Sequence, residues 1–596
     1  MGKIAERLEL LREELRREHL SAFIFPTTDP HNSEYTADHW KGREWISGFT
    51  GSAGIAVVTL KSAALWTDSR YFIQAEAQLK DTEFRVMKQK LAGTPTIPEW
   101  ISAQLSTHDS QFSTEIGLDG MLTSVAEVEK LKEELKQKGG ITVRTNFDPL
   151  ERIWKDRPQI PLYPVEIQPI ELAGEDAQSK LSRIRQALRK QHADGMLVVA
   201  LDDIAWTLNL RGRDVHCTPV FVAYLLIASD RATLYINKVK VSGEVQTYLK
   251  SQGVEIAPYS EIGKGLKDYF EYNILLDPDE VCYTLYQQVS RSVVRATSPI
   301  PPLKAVKNER EQQGFRSAML RDGIAMVKFL KWLDEHIQTD CLTEISVAQR
   351  LEAFRSEQPL YQGLSFDTIA GYESHGAIVH YEATEETDVA LQAKGLLLLD
   401  SGAQYHDGTT DITRTIALGP LTEEQCKVYT LVLKGHIQLQ LLHFPDGSSG
   451  TQLDAIARKD MWKEGYNFLH GTGHGVGSFL SVHEGPHQIR MEWRPAKLQA
   501  GMTITDEPGI YLEGRFGVRT ENVLLVVPAV TTESGSFLKF ETLTLCPIDK
   551  RPIIKSLLTS EEIAWLNAYH EKAYEKLVDF LDSAEREWLR QATLPL

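Results

Sequence analysis

LLLLDSGAQYHDGTTDITRT, residues 396–415, decides how this chain is read. Four leucines run straight into an acid, Asp400, and a second acid, Asp411, opens a β-branched run shortly afterwards. An apolar run of strand length that carries a carboxylate is costly unless a cation or hydrogen-bond donors meet the charge. Two strands joined by a short polar connection bring Asp400 and Asp411 close in space. Asp407, between them, stands before Gly408; Asp-Gly is a hairpin signal, so Asp407 reads as turn chemistry. That explanation fits Asp411 poorly, because its run is β-branched.

The pattern recurs downstream. HGTGHGVG (470–477) carries His470 and His474, TDEPG (505–509) carries Glu507, and RTENVLLVV (519–527) carries Glu521. Asp400, Asp411, His474, Glu507 and Glu521 make a hard, oxygen-rich donor set. Such a set suits Mn²⁺ or a similar divalent ion better than a thiolate-bound structural zinc. Carboxylates bridge, so four of them can hold two ions, and such a pair activates water for attack on a carbonyl. The set therefore points to a hydrolase. The glycines around His470 and His474 forbid a stable helix, which excludes a helix-borne HExxH zinc site. His380 and His483 bring further imidazoles to the same segment. Arg519, two residues before Glu521, shares its face in an extended strand and is the metal-free alternative source of positive charge there.

Upstream of this segment the chain repeats itself. RLELLREELRREH (7–19) aligns with KLSRIRQALRKQH (180–192), pairing Leu8, Leu11, Leu15 and His19 with Leu181, Ile184, Leu188 and His192. A strand follows each helix, then WISGFTG (45–51) answers WTLNLRG (206–212), and AGIAVV and AALWT answer VFVAYLLI and ATLYIN. A unit this long is a duplicated domain, not a solenoid turn. Proline-rich linkers at 154–169 and 296–308 bound the second copy. A long helix is expected over 308–337 and helices around 422–443 and 451–464, with a C-terminal helix capped by Ser560.

At 596 residues three or so domains are expected. The net charge of −17 disfavours nucleic acid or an anionic membrane as partner. No stretch approaches the roughly 20 apolar residues of a membrane span. The N-terminal stretch reads as a mixed-charge helix without a signal-peptide apolar core, and the five scattered cysteines read as reduced, buried thiols. Cytoplasmic localisation is the expectation.

DSGAQYHDGTTDITRT, HGTGHGVGSFLSVHEGP, TDEPGIYLEGRFGVRTENV and GAIVHY resemble the motifs of Xaa-Pro aminopeptidases (aminopeptidase P), metallopeptidases of the pita-bread class. SEYTADHWKGREWISGFTGSAGIAVV, WTDSRYFIQA and LDDIAWTLNLRG extend the resemblance to the long, three-domain cytosolic type. It implies an α/β (α+β) chain. Two creatinase-type α/β domains with mixed sheets, residues 1–157 and 158–303, would precede a pita-bread catalytic domain, residues 304–596. It implies that Asp400, Asp411, His474, Glu507 and Glu521 ligate two divalent ions, Mn²⁺ foremost, with Zn²⁺ or Co²⁺ as alternatives. Glu507 would also take the proton of the attacking water. His380 and His483 would contact the scissile peptide, and either would serve the leaving proline nitrogen. His470, Tyr511 and Arg519 would line or order the site, and Arg70 would contact peptide. The implied substrates are peptides with proline second, and the implied assembly is a homodimer. The alternatives are a prolidase restricted to Xaa-Pro dipeptides, a metal-free creatinase-like hydrolase, and a non-enzymatic binding module.

Overall fold

A computed structural model describes residues 2–106 and 114–596; Met1 and residues 107–113, both within the first expected domain, lie outside the described residues. The chain divides into two compact units, Met1–Ile167 with Glu175–Ile300, and Gln168–Gly174 with Pro301–Leu596.

The first unit holds two six-stranded sheets of one topology. The first runs Phe84–Lys88, Ala63–Thr67, Ile55–Thr59, Ala22–Phe25, Glu115–Leu118, Thr142–Arg144. The second runs Val254–Ala257, Ala232–Ile236, Ala223–Ile227, Gly195–Val198, Asn273–Leu276, Ser292–Arg295. In both, three central strands pair antiparallel and the flanking strands add parallel. The helices Lys3–Arg17 and Ala177–Lys190 bury Leu8, Leu11 and Leu15, and Leu181, Ile184 and Leu188, respectively. Each such side chain contributes about 1.5–3 kcal/mol on full burial. Each helix ends in the same way. His19 and His192 sit in the left-handed region (φ 57° and 58°), and the next residue's N–H reaches back to Leu15 or Leu188. This is the Schellman close, with histidine in the usual glycine place.

The second unit carries the acids. Asn308 caps the helix Glu309–His336 through a capping box with Glu311. The strand Leu396–Ser401 lies between Ile369–Tyr372 and Ile412–Ala417, antiparallel to both. Leu397 and Leu399 pack into one core and Leu396 into another, which is why the strand is a continuous leucine run with no polar alternation. A four-stranded sheet (Phe444–Pro445, Gly535–Thr542, Asn522–Thr532, Thr503–Asp506) and the ribbons Gly473–Gly475/Glu484–Ile489 and Gly509–Leu512/Phe516–Arg519 complete the frame.

The structure corrects several expectations. The strand carrying Asp400 and the strand after Asp411 pair as expected, and the turn falls at His406-Asp407, but the connection is longer than a turn: it forms its own hairpin, Ala403–Tyr405 with Gly408–Thr409. Arg519 and Glu521 do not share one strand; the chain changes sheet at Thr520 and Glu521. The C-terminal helix Ser560–Leu577 is capped by Thr559, one residue early, because Thr559 and not Ser560 lies three residues before Glu562. Cys341 is exposed, while Cys282 and Cys546 are buried. Among the described residues no helix is long and apolar enough to cross a membrane.

Candidate metal centre

Each acid sits where a strand ends or begins. Asp400 stands near the end of its strand opposite Thr413, and Asp411 immediately precedes the strand Ile412–Ala417. Glu507 follows the strand Thr503–Asp506, and Glu521 precedes Asn522–Thr532; Asp506 and Asn522 are register partners, so the two glutamates flank one pair. Asp411, His474 and Glu521 offer ligand atoms that all lie within 4.8 Å of one another. His474 Nε2 lies 3.5 Å from Asp411 Oδ2 and 3.7 Å from Glu507 Oε1. Its Nδ1 donates to the Gly475 carbonyl at 2.9 Å, which leaves Nε2 as a lone pair turned toward the acids. The glycines permit the approach: a Cβ on Gly473 would stand 2.0 Å from the Thr505 carbonyl oxygen.

Arg519 is fully buried and organises one side. Its Nη2 donates to Asp400 Oδ2 (2.7 Å) and to the Val379 carbonyl (3.3 Å), which brings in the segment carrying His380. Its Nη1 donates to the Tyr511 hydroxyl (2.6 Å) and its Nε to Thr413 Oγ1 (3.2 Å). Thr413 in turn donates to Glu521 Oε2 at 2.7 Å. Arg519 therefore pairs with Asp400, and the side chain bonded to Glu521 is the Thr413 hydroxyl, so the metal-free alternative for Glu521 has no direct ion pair behind it. Burial alone would depress the Arg519 guanidinium, but Tyr511, Asp400, Glu507 and Glu521 together hold its pKa well above the ordinary value. His470 Nε2 lies 2.8 Å from the Tyr511 hydroxyl, and the His483 ring stands edge-on to His474 at 4.4 Å. Arg70 belongs to the other unit, where it pairs with Asp68 (2.7 Å).

The electrostatics state what the centre lacks in protein alone. Burial pushes the Asp411 carboxyl well above the usual range, and the charges of Asp400 and Glu507 push it further. Glu521 shifts the same way, by burial and then by Asp411, Asp400 and Glu507. Asp400 Oδ1 is buried without a hydrogen-bond partner. Crowded buried carboxylates, an orphaned carboxylate oxygen and an imidazole lone pair fit divalent cations of oxygen preference. Sequence reasoning missed Thr413, Asp506 and His436, whose Nδ1 lies 3.1 Å from Asp506 Oδ2. The adjacency of Asp506 to Glu507 was the available signal.

A hydrophobic frame that brings Asp411, His474 and Glu521 within ligand distance of one another, with Glu507 and Asp400 beside them, defines a metallohydrolase-type centre. The sequence model of metallopeptidase family M24 matches residues 313–528 and that of its C-terminal region residues 536–596. The creatinase/prolidase N-terminal domain matches twice, at 7–150 and 156–311. "Xaa-Pro aminopeptidase 1" of Dictyostelium discoideum is 40% identical, over 100% of this chain and 97% of its own length. The X-prolyl aminopeptidase of Caenorhabditis elegans, described as a cytosolic enzyme with a di-nuclear active site, superposes with a TM-score of 0.95 at 34% identity, over 100% of both chains. The Xaa-Pro dipeptidase of Bacillus anthracis, 26% identical with a TM-score of 0.51, covers 63% of this chain and 99% of its own. The chain belongs to metallopeptidase family M24.

Proposed function

We propose that this chain is an Xaa-Pro aminopeptidase that hydrolyses the bond between an N-terminal residue and a following proline. The reading is supported by Asp411, His474 and Glu521 offering ligand atoms within 4.8 Å of one another, with Glu507 3.7 Å from His474 and the Asp400 charge acting on Asp411, in a chain that an Xaa-Pro aminopeptidase matches end to end. The shorter Xaa-Pro dipeptidase accounts for 63% of the chain, which favours the aminopeptidase over a prolidase. The complete ligand set favours an enzyme over a binding module or a metal-free hydrolase.

Those five residues would hold two divalent ions, Mn²⁺ foremost. When bound, such a pair polarises the scissile carbonyl and makes a water acidic enough to attack near neutral pH. Glu507 accepts that water's proton on a carboxylate oxygen. His380 and His483 donate hydrogen bonds where charge develops on the carbonyl oxygen; one such donor is worth roughly 2.7–4 kcal/mol of barrier. Proline's nitrogen has no N–H, so it must be protonated as it leaves, and either histidine can serve. His470, Tyr511 and Arg519 keep the wall of the site in place, and Arg70 contacts peptide. The enzyme acts in the cytoplasm as a homodimer.

The test is hydrolysis of an Xaa-Pro-Yaa tripeptide and an Xaa-Pro dipeptide by chelator-treated protein, before and after Mn²⁺ is added, beside Glu507→Gln. Release of the first residue from the tripeptide, restored by Mn²⁺ and absent in Glu507→Gln, is expected. Cleavage of the dipeptide alone would make it a prolidase, and no cleavage of either would make it a binding module.

A further inference from the structure

Arg414 takes no part in the chemistry above, yet its guanidinium is buried (2% exposed) and bonded on every nitrogen. Nε donates to the Pro547 carbonyl at 3.1 Å. Nη1 donates to the carbonyls of Thr413 (3.0 Å) and Glu521 (2.8 Å). Nη2 donates to Asn522 Oδ1, the Cys546 carbonyl and the Tyr569 hydroxyl, each at 2.9 Å. None of these acceptors is a carboxylate. A buried cation held by neutral acceptors alone is costly, and a well-packed apolar side chain is commonly the more stabilising choice. What the rigid planar fork can do, and an apolar group cannot, is hold several carbonyls in fixed relation.

The two carbonyls on Nη1 belong to residues already tied to each other. Glu521 N–H donates to the Thr413 carbonyl at 3.1 Å, and the Thr413 hydroxyl donates to Glu521 Oε2. Arg414 closes a third connection across that pair. Beyond it, Asn522 Nδ2 donates to His436 Nε2 (3.1 Å), and His436 faces Asp506, the residue before Glu507. The network thus runs beneath both glutamates. Its far anchor is the C-terminal region. Tyr569, on the helix Ser560–Leu577, accepts from Arg414, donates to the Cys546 carbonyl (2.8 Å), and stacks on Trp565 with ring centroids 5.3 Å apart.

We infer that Arg414, locked by Cys546, Pro547 and Tyr569, is a positioning residue that sets Glu521 against Asp411, and that the C-terminal region is thereby a working part of the metal centre. This rests on the metal reading proposed above. Its test is Mn²⁺ binding to the full-length chain by isothermal titration, which needs no turnover. The variants are Tyr569→Phe, which keeps the ring, Arg414→Lys, and Leu589→Ala. Leu589 is buried in the same C-terminal region but packs in a different cluster. Tyr569→Phe and Arg414→Lys are expected to weaken Mn²⁺ binding by roughly 10- to 100-fold, as loss of a supporting hydrogen bond at a metal site does. Leu589→Ala is expected to lower the melting temperature and leave Mn²⁺ affinity unchanged. Wild-type affinity in Tyr569→Phe overturns the inference. So does equal weakening in Leu589→Ala, which would reduce the region to a general stabiliser. Absence of Mn²⁺ binding by the wild type would instead sink the metal reading itself.

Discussion

Asp400 gives one oxygen to Arg519 and keeps the other buried without a hydrogen-bond partner. The side chain is therefore aimed by the guanidinium and available to a cation. Arg519→Lys keeps the charge but cannot span Asp400, Tyr511 and Thr413 with one planar fork. A loss of roughly 10- to 100-fold in activity or metal affinity is expected, measured as kcat/KM over a Mn²⁺ titration; wild-type behaviour would remove Arg519 from the wall of the site. At this scale the acids were legible because a carboxylate among leucines or β-branched residues is a visible cost. Thr413 and Arg414 were not legible. In DITRT three consecutive polar residues, Thr413, Arg414 and Thr415, read as a solvated stretch, whereas all three are buried here. Nothing in the sequence distinguishes a solvated arginine from one that grips six protein acceptors.

The ribbon that presents His474 shows how an element is tuned around the centre. Its second strand, Glu484–Ile489, buries His487, whose Nε2–H donates to the Thr503 carbonyl at 2.7 Å and whose Nδ1 has no partner. Burial, reinforced by nearby Lys307, pushes its pKa down to about 4. The unfolded chain protonates this ring near pH 6.5 and the folded chain does not until about 4. The unfolded state thus binds the extra proton, and stability present above pH 6.5 is lost as pH falls through that window, at about 1.4 kcal/mol per unit. Melting curves from pH 7.5 to 4.5 are expected to fall more steeply for the wild type than for His487→Gln; parallel curves would contradict this. The elements themselves were largely legible. The duplicated heptad-like leucines and the paired histidines marked two copies, which the structure gives as two sheets of one strand order. What escaped was where strands stop. Asp407-Gly408 marked the hairpin turn, but that the hairpin joins Tyr361–Leu364 in a sheet of its own, and that the chain changes sheet at Thr520, are tertiary matters that local pattern does not encode.

For the whole molecule, the second unit is not one stretch of chain. Gln168–Gly174 belongs to it, with Gln168 Nε2 donating to the His406 carbonyl (2.7 Å) and Asn308 Nδ2 to the Ala173 carbonyl (2.8 Å). Residues 301–596 made alone are expected to be less stable than the same piece with residues 168–174 fused ahead of it through a flexible linker, by about 1–3 kcal/mol for the two lost bonds. Denaturant midpoints compare the two, and equal midpoints would show the segment to be dispensable. The same feature acts on the timing of synthesis. Gln168–Gly174 leaves the ribosome before Glu175–Ile300, and the partner residues His406 and Asn308 follow later still. At about 5–20 residues per second the segment waits roughly 6–25 s before Pro301 is even translated. During that interval the nascent chain carries a short docking strip for a unit that does not yet exist.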